Sequence, residues 1–199
     1  MNQAITTRPK VLLDYFAQTR LADGILVVAY AGFIGIFAQL VIHLPFTPVP
    51  ITGQTLAVLL GASLLGPVRA VMGSGLYLAA GLIGVPWFAG GSGGLSVASA
   101  PSFGYIVGFI AASLVVGLLA ARGLDRHIAG TVVEMVVGNV VIYAFGVTWL
   151  AVSIHVSLAQ AVTLGMTPFF LGDLIKVGIA ALALPAGWKA LSAFSKSGR

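Results

Sequence analysis

The sequence has 199 residues, of which 59% are hydrophobic and only 8% are charged, and its formal net charge is +5. Soluble domains carry roughly 25% charged residues, so a chain this apolar could not cover a water-facing surface. The composition therefore excludes an ordinary soluble domain and predicts an all-α integral membrane protein with several spans.

Residues 1–23 are mixed polar and lack the short apolar core and cleavage site of a signal peptide. They are interpreted as a cytoplasmic N-terminal segment of one membrane domain that covers residues 1–199. Six apolar runs follow, and they predict a six-transmembrane-helix bundle over 24–191, with a cytoplasmic tail over 192–199. The runs are 24–44, 52–65, 70–85, 103–121, 130–153 and 168–191. The second and third are shorter than the roughly 20 residues that cross a bilayer core.

The basic residues support this count through the positive-inside rule. With the N-terminus inside, nine of the ten Lys and Arg fall in cytoplasmic segments, and the outer loops 45–51, 86–102 and 154–167 hold none. The tenth, Lys176, lies within a span. Both termini are therefore predicted to be cytoplasmic, in a multi-pass protein of a bacterial cytoplasmic membrane. Scattered basic residues without interleaved aromatic residues argue against nucleic-acid binding.

Two outer loops have distinct compositions. The loop 45–51 reads PFTPVPI, and its three prolines make it stiff and non-helical. Such a loop could form a lid or pocket wall, although a plain connector is the more common use. The loop 86–102 contains AGGSGG, whose glycines could let backbone approach a ligand or could form a flexible linker. No Gly-Lys dipeptide follows them, so ATP binding is not expected.

Asp173 and Lys176 are the most informative residues, because they place an acid and a base on one face of the last span. A charge at membrane depth is costly, and it usually faces the bundle interior or a cavity. The pair would lie about 7 and 12 Å below the outer end of the span. It could bind a small ligand with both donors and acceptors, or it could be a self-neutralising pair that joins two helices.

Other polar residues carry less information. Glu134 lies about one turn inside the fifth span, where snorkelling or pairing with Arg122 or Arg126 is the favoured interpretation. The three histidines are isolated, and no cysteine is present, so neither a metal site nor a cofactor is predicted. No catalytic constellation occurs, so the chain is not expected to be an enzyme.

Five segments in order resemble the BioY family of biotin transporters, the substrate-binding S components of energy-coupling-factor (ECF) transporters. They are 47–67, 77–97, 102–109, 142–151 and 167–184. The Gly-Asp-x-x-Lys pattern at 172–176, in the last helix, is the most specific part. The resemblance implies six transmembrane helices and a biotin site that opens to the outer face. One departure is Phe103, which stands where family members often have glycine.

The resemblance also implies site residues. Asp173 would accept hydrogen bonds from the ureido N–H groups of biotin, and Lys176 would donate to an oxygen. Weaker assignments follow the matching segments, and they are Thr52, Gln54, Gly90, Gly91, Ser92 and Tyr105. Small residues on the first helix are the family's usual docking surface, which makes Ala31 and Gly35 candidates for partner contact. The expected partners are a transmembrane coupling protein and two ATPases, although a BioY protein that works alone is also possible.

The predicted function is high-affinity biotin binding and uptake across the cytoplasmic membrane by a substrate-specific transport subunit. One alternative is an S component for a different vitamin. Another is a proton-coupled secondary transporter that uses Asp173 or Glu134 as its proton carrier. A structural subunit that binds no ligand is a further alternative.

Overall fold

The computed structural model describes residues 11–17 and 19–197, with side chains described up to residue 194. Its seven α-helices are α1 (Arg20–Ala38), α2 (Gln54–Leu65), α3 (Pro67–Leu82), α4 (Phe103–Ala121), α5 (Ile128–Ser153), α6 (Leu158–Gly165) and α7 (Phe170–Ser197). Among the described residues, four helical segments are long and apolar enough to cross a membrane: Arg20–Ala38, Phe103–Ala121, Ile128–Ser153 and Leu158–Phe194. The helices α2 and α3 are shorter, with 12 and 16 residues.

The predicted first span, 24–44, is wrong at its end. The first helix ends at Ala38, six residues before the predicted end of the first span, and two short strands follow. Strand β1 (Val41–Ile42) pairs antiparallel with β2 (Ile51–Thr52), and residues 43–50 connect them. The prolines of this connection cannot continue a helix, and the hairpin therefore leads directly into α2.

A second difference concerns the predicted outer loop 154–167, which contains the short helix α6. Ser157 caps it, because the Ser157 hydroxyl accepts from the Gln160 backbone N–H. The Gln160 side-chain oxygen in turn accepts from the Ser157 backbone N–H. This reciprocal capping box is a strong local signal for a helix start. The helix lies against α5 and leads into α7 through a 3-10 turn, Thr167–Phe169.

The helices α4 and α5 share the largest packed interface of the bundle. Gly104 and Gly108 permit this close approach, as their four-residue spacing indicates. A side chain at Gly104 would overlap Trp149, and one at Gly108 would lie 3.1 Å from the Ile142 carbonyl oxygen. The helix α4 also packs on α2 and α3, and α1 packs mainly on α3. The core therefore runs through α4, with the other helices around it.

The segment 11–17 belongs to the bundle rather than to a separate tail. Val11 and Leu12 are 2% and 6% exposed. Arg69, at the start of α3, donates to Asp14 and to Asp23 at 2.7 Å each. This ion pair connects the segment, α1 and α3. The predicted N-terminal segment 1–23 therefore overlaps the folded bundle, and its residues 1–10 lie outside the described part.

The same end of the bundle holds a buried acid, Asp125, in the 3-10 turn between α4 and α5. The Trp188 indole N–H donates to it at 2.6 Å, and the Arg126 guanidinium lies over the Trp188 ring. Burial raises the pKa of Asp125, while the Trp188 hydrogen bond and the charge of Arg126 act in the opposite direction. These contacts join α7 to the α4–α5 turn.

Candidate functional site

A cavity of about 330 Å³ lies between the hairpin, the loop after α3, and the helices α2, α4, α5 and α7. Its apolar walls include both rings and aliphatic side chains, namely Val49, Pro50, Phe88, Ala89, Val97, Ala100, Ile106, Phe109 and Phe169. Its polar groups are His43, Thr52, Gln54, Thr55, Ser92, Ser96, Ser102, Tyr105, Tyr143, Asp173 and Lys176. Most of the exposed lining area is nevertheless apolar. Small-molecule sites are likewise mainly apolar pockets of a few hundred Å³ whose polar groups orient the ligand.

Asp173 and Lys176 both line this cavity, as the sequence predicts, and they lie on one face of α7. Their charged atoms are 3.4 Å apart, and their side chains are 11% and 17% exposed. Each also bonds to a second helix, so the pair joins helices as well as lining the cavity. The Tyr143 hydroxyl on α5 donates to Asp173, and Lys176 donates to the Thr55 hydroxyl on α2 at 2.7 Å.

These four side chains form one hydrogen-bonded group that joins α2, α5 and α7. Asp173 is an acceptor that has one oxygen occupied by Tyr143 and the other facing Lys176. An ammonium group has three donors, of which Thr55 and Asp173 take two. A ligand in the cavity can therefore meet acceptor capacity on Asp173 and a donor on Lys176 a few ångströms apart.

Thr52, at the end of β2, and Gln54, at the start of α2, both line the cavity. The Thr52 hydroxyl donates to the Gln54 side-chain oxygen at 2.9 Å and accepts the Gln54 backbone N–H at 3.3 Å. The Gln54 amide nitrogen donates to the Tyr77 hydroxyl at 2.8 Å. The amide is thus fixed at both ends.

The predicted residues of the glycine-rich loop divide into two groups. Ser92 lines the cavity, whereas Gly90 and Gly91 are exposed and lie outside the lining. Both glycines have positive φ, 69° and 72°, and this backbone shape turns the loop so that Ala89 and Ser92 reach the cavity. The two glycines therefore shape the wall without lining it.

Tyr105 lines the cavity near the start of α4, although Phe103 departs from the family pattern next to it. Its hydroxyl donates to the Gly165 carbonyl oxygen at 2.7 Å and so holds the end of α6. Phe103 packs edge-on against Trp149. The Tyr105 ring is in edge contact with Tyr143, at a centroid distance of 6.3 Å.

Several lining residues were not among the individually predicted site residues, although the loop 45–51 was a candidate pocket wall. Val49 and Pro50 show that the Pro-rich loop is a pocket wall rather than a plain connector. Thr55 and Tyr143 lack a local signal, since their partners on α7 are 121 and 30 positions away. For Tyr143, its place in the matching segment 142–151 is an available hint.

The partner-docking assignment of Ala31 and Gly35 needs correction. Both residues are buried within the chain, and Ala31 is 0% exposed. Gly35 lies under the Trp87 side chain, so a Cβ added at position 35 would lie only 3.2 Å from Trp87 Cβ. These small residues serve internal packing. The exposed face of α1 instead carries Gly24 and the side chains of Ile25 and Val28.

The interpretation of Glu134 also needs correction. It neither snorkels nor pairs with Arg122 or Arg126, because its side chain is 0% exposed and faces α2, where the Ser63 hydroxyl lies beside it. Neither carboxyl oxygen has a hydrogen-bond partner among the described residues. The described residues also contain no group of three or more His, Cys, Asp or Glu that could hold a metal ion.

The model of the BioY family matches residues 7–193. The chain belongs to the BioY family. The biotin transporter BioY of Rhizobium etli is 35% identical over 185 residues, which cover 89% of this chain and 91% of that protein. The biotin transporter BioY of Thermotoga maritima is 37% identical over 153 residues, covering 74% and 89%.

The fold agrees with this membership. The crystal structure of the S-component for biotin from an ECF-type ABC transporter matches with a TM-score of 0.78 and 25% identity. The match covers 87% of this chain and 95% of that one. The BioY relatives are named as transporters, and the alignment extends over both the bundle and the cavity-forming segments.

Proposed function

We propose that the chain binds biotin in the cavity between α2, α4, α5 and α7 and acts as the substrate-specific subunit of a biotin transporter. The observation that carries the proposal is the pairing of Asp173 with Lys176 in a largely apolar cavity of about 330 Å³. The names of the relatives and of the similar crystal structure support the choice of ligand.

The chemistry of biotin suits these groups. Its ureido ring presents two N–H donors and one carbonyl acceptor, its sulfur ring is apolar, and its tail ends in a carboxylate. Asp173 accepts from the ureido N–H groups, and Lys176 donates to a ligand oxygen. The rings contact the apolar wall, in which Phe88 and Phe109 are prominent. Burying such rings contributes roughly 25 cal/mol per Å² of apolar surface removed from water.

The proposed topology has six spans and two cytoplasmic termini. The short helices α2 and α3 count as spans because α1 and α4 pack against both of them. Arg69, Arg122 and Arg126 lie at helix ends away from the cavity-lining loops. The positive-inside rule places that end in the cytoplasm, so the cavity faces the outside of a bacterial cytoplasmic membrane.

The proposed energy source is an ECF module, which consists of a transmembrane coupling protein and two ATPases. The similar structure is an S-component of such a transporter, and this sequence has no Gly-Lys dipeptide with which a phosphate loop would end. The exposed face of α1 around Gly24 and Val28 replaces Ala31 and Gly35 as the proposed contact surface.

The direct test is a titration of the purified chain in detergent with labelled biotin. Tight, saturable binding by the parent is expected, with loss of binding in Asp173→Asn and Lys176→Ala. Thr148→Val is a matched control, because Thr148 is an exposed helical residue that bonds only within its own helix. A folded parent that does not bind biotin would overturn the proposal, and thiamin or riboflavin would then be titrated. Uptake that collapses with the proton gradient and needs no ATPase would favour a secondary transporter.

A further inference from the structure

The structure assigns to Tyr77 the role of a positioning residue, which orients the Gln54 amide toward the ligand through a continuous hydrogen-bonded chain that ends on α1. Tyr77 does not itself line the cavity, and its side chain is 0% exposed. The inference rests on the proposed function, since it assumes that the cavity holds the ligand.

The direction of every bond in this chain is determined by its ends. The Thr52 hydroxyl already accepts the Gln54 backbone N–H, so its own hydrogen goes to the Gln54 side-chain oxygen at 2.9 Å. At the other end, the Tyr77 hydroxyl donates to the Trp87 carbonyl oxygen at 3.3 Å. It therefore accepts from the Gln54 amide nitrogen at 2.8 Å. The amide cannot turn over without breaking bonds at both ends.

This arrangement leaves defined capacity for a ligand. A side-chain amide has two N–H donors and two acceptor lone pairs. Tyr77 takes one donor and Thr52 takes one lone pair, which leaves one of each. Because Gln54 is only 5% exposed and lines the cavity, the remaining donor and acceptor are available to a ligand in the cavity.

The far end of the chain is also fixed. Gln39, at the end of α1, donates to the same Trp87 carbonyl oxygen at 3.1 Å, and the Trp87 indole N–H returns to the Tyr77 carbonyl oxygen at 2.9 Å. The Trp87 and Tyr77 rings lie 5.2 Å apart, and the Trp87 side chain covers Gly35. Tyr77 thus connects the pocket, the loop after α3 and α1.

Tyr77→Phe tests the role, because it removes the hydroxyl and keeps the ring packing. We expect the dissociation constant for labelled biotin to rise about threefold to tenfold, as for loss of one buried hydrogen bond. Tyr30→Phe is the matched control. Tyr30 is equally buried and its hydroxyl bonds to the Val58 carbonyl oxygen and to Ser113, away from the cavity lining. Tyr30→Phe should lower the Tm similarly and leave biotin affinity unchanged.

A double-mutant cycle with Gln54→Leu separates positioning from a general structural effect. If Tyr77 acts through Gln54, then Tyr77→Phe should change affinity less than twofold once Gln54 is leucine. An equal loss of affinity in both backgrounds, or an unchanged affinity in the single variant, would overturn the inference alone. Equal weakening by Tyr30→Phe would also overturn it. A parent that does not bind biotin would overturn the proposed function, and this inference with it.

Discussion

Lys176 donates its shortest hydrogen bond to the Thr55 hydroxyl, 2.7 Å away on α2. The Asp173 carboxylate, three residues away on the same helix, is more distant at 3.4 Å. If the acid and the base only neutralised each other, the shortest contact of Lys176 would be with Asp173 rather than with Thr55. The bond to Thr55 instead holds the ammonium group between two helices, at a position where both Lys176 and Asp173 line the cavity.

Thr55→Val should weaken biotin binding about threefold to tenfold, because it removes the acceptor that orients Lys176 while keeping the shape of the side chain. The measurement is a titration with labelled biotin, with Thr55→Ser as the conservative variant. Serine retains the hydroxyl and should bind within about twofold of the parent. An unchanged affinity in Thr55→Val would mean that the ligand itself orients Lys176.

Tyr143→Phe should also weaken binding, by a similar factor. The Tyr143 hydroxyl donates to one oxygen of Asp173, and its loss frees the carboxylate to rotate and leaves a buried acceptor without its donor. The dissociation rate is the informative measurement, since affinity differences between related complexes arise mostly in that rate. Tighter binding by Tyr143→Phe would show that the hydroxyl competes with the ligand for Asp173.

The sequence alone identifies α7 as the helix that carries the site, because charge inside a span is rare and costly. It also identifies Thr52, Gln54, Ser92 and Tyr105 through the family segments, and all four line the cavity. It cannot identify Thr55 and Tyr143 as partners of the α7 pair, since those contacts join residues 121 and 30 positions apart. Only the packed bundle brings them together.

The bounds of the helices were likewise predictable from the sequence only in part. The bounds of α4 match the predicted run 103–121, because this run is uniformly apolar and ends before Arg122. The end of α1 was predicted six residues too late, because residues 39–44 are also largely apolar. Hydropathy does not distinguish a helix from a short strand of the same composition. The burial of Gly35 was not predictable, since it depends on Trp87 from a loop about 50 positions away.

Gly104→Ala should destabilise the bundle, because the added methyl group overlaps Trp149 across the α4–α5 interface. Overpacking of this kind costs about 1–3 kcal/mol. Gly32→Ala is the matched control, since no atom lies within 4 Å of a Cβ at that position on α1. Thermal unfolding in detergent should show a Tm several degrees lower for Gly104→Ala and an equal or higher Tm for Gly32→Ala. Equal Tm values for both variants would mean that the interface adjusts to the methyl group.

Glu134→Gln should raise the Tm. The Glu134 carboxyl is 0% exposed and has no well-formed hydrogen bond among the described residues, although the Ser63 hydroxyl lies beside it. An amide has nearly the same shape and adds an N–H donor that the Ser63 hydroxyl can accept. Burying an acid without compensating hydrogen bonds is costly, and a neutral amide at the same position should cost less.

Ser63→Ala supplies the comparison that makes the Glu134 prediction specific. If the gain in Glu134→Gln comes from a new bond to Ser63, the gain should shrink in the Ser63→Ala background, and a double-mutant cycle of Tm values measures the difference. A Tm several degrees lower in Glu134→Gln would contradict the prediction. Such a result would mean that the Glu134 carboxyl already forms a stabilising contact with the Ser63 hydroxyl.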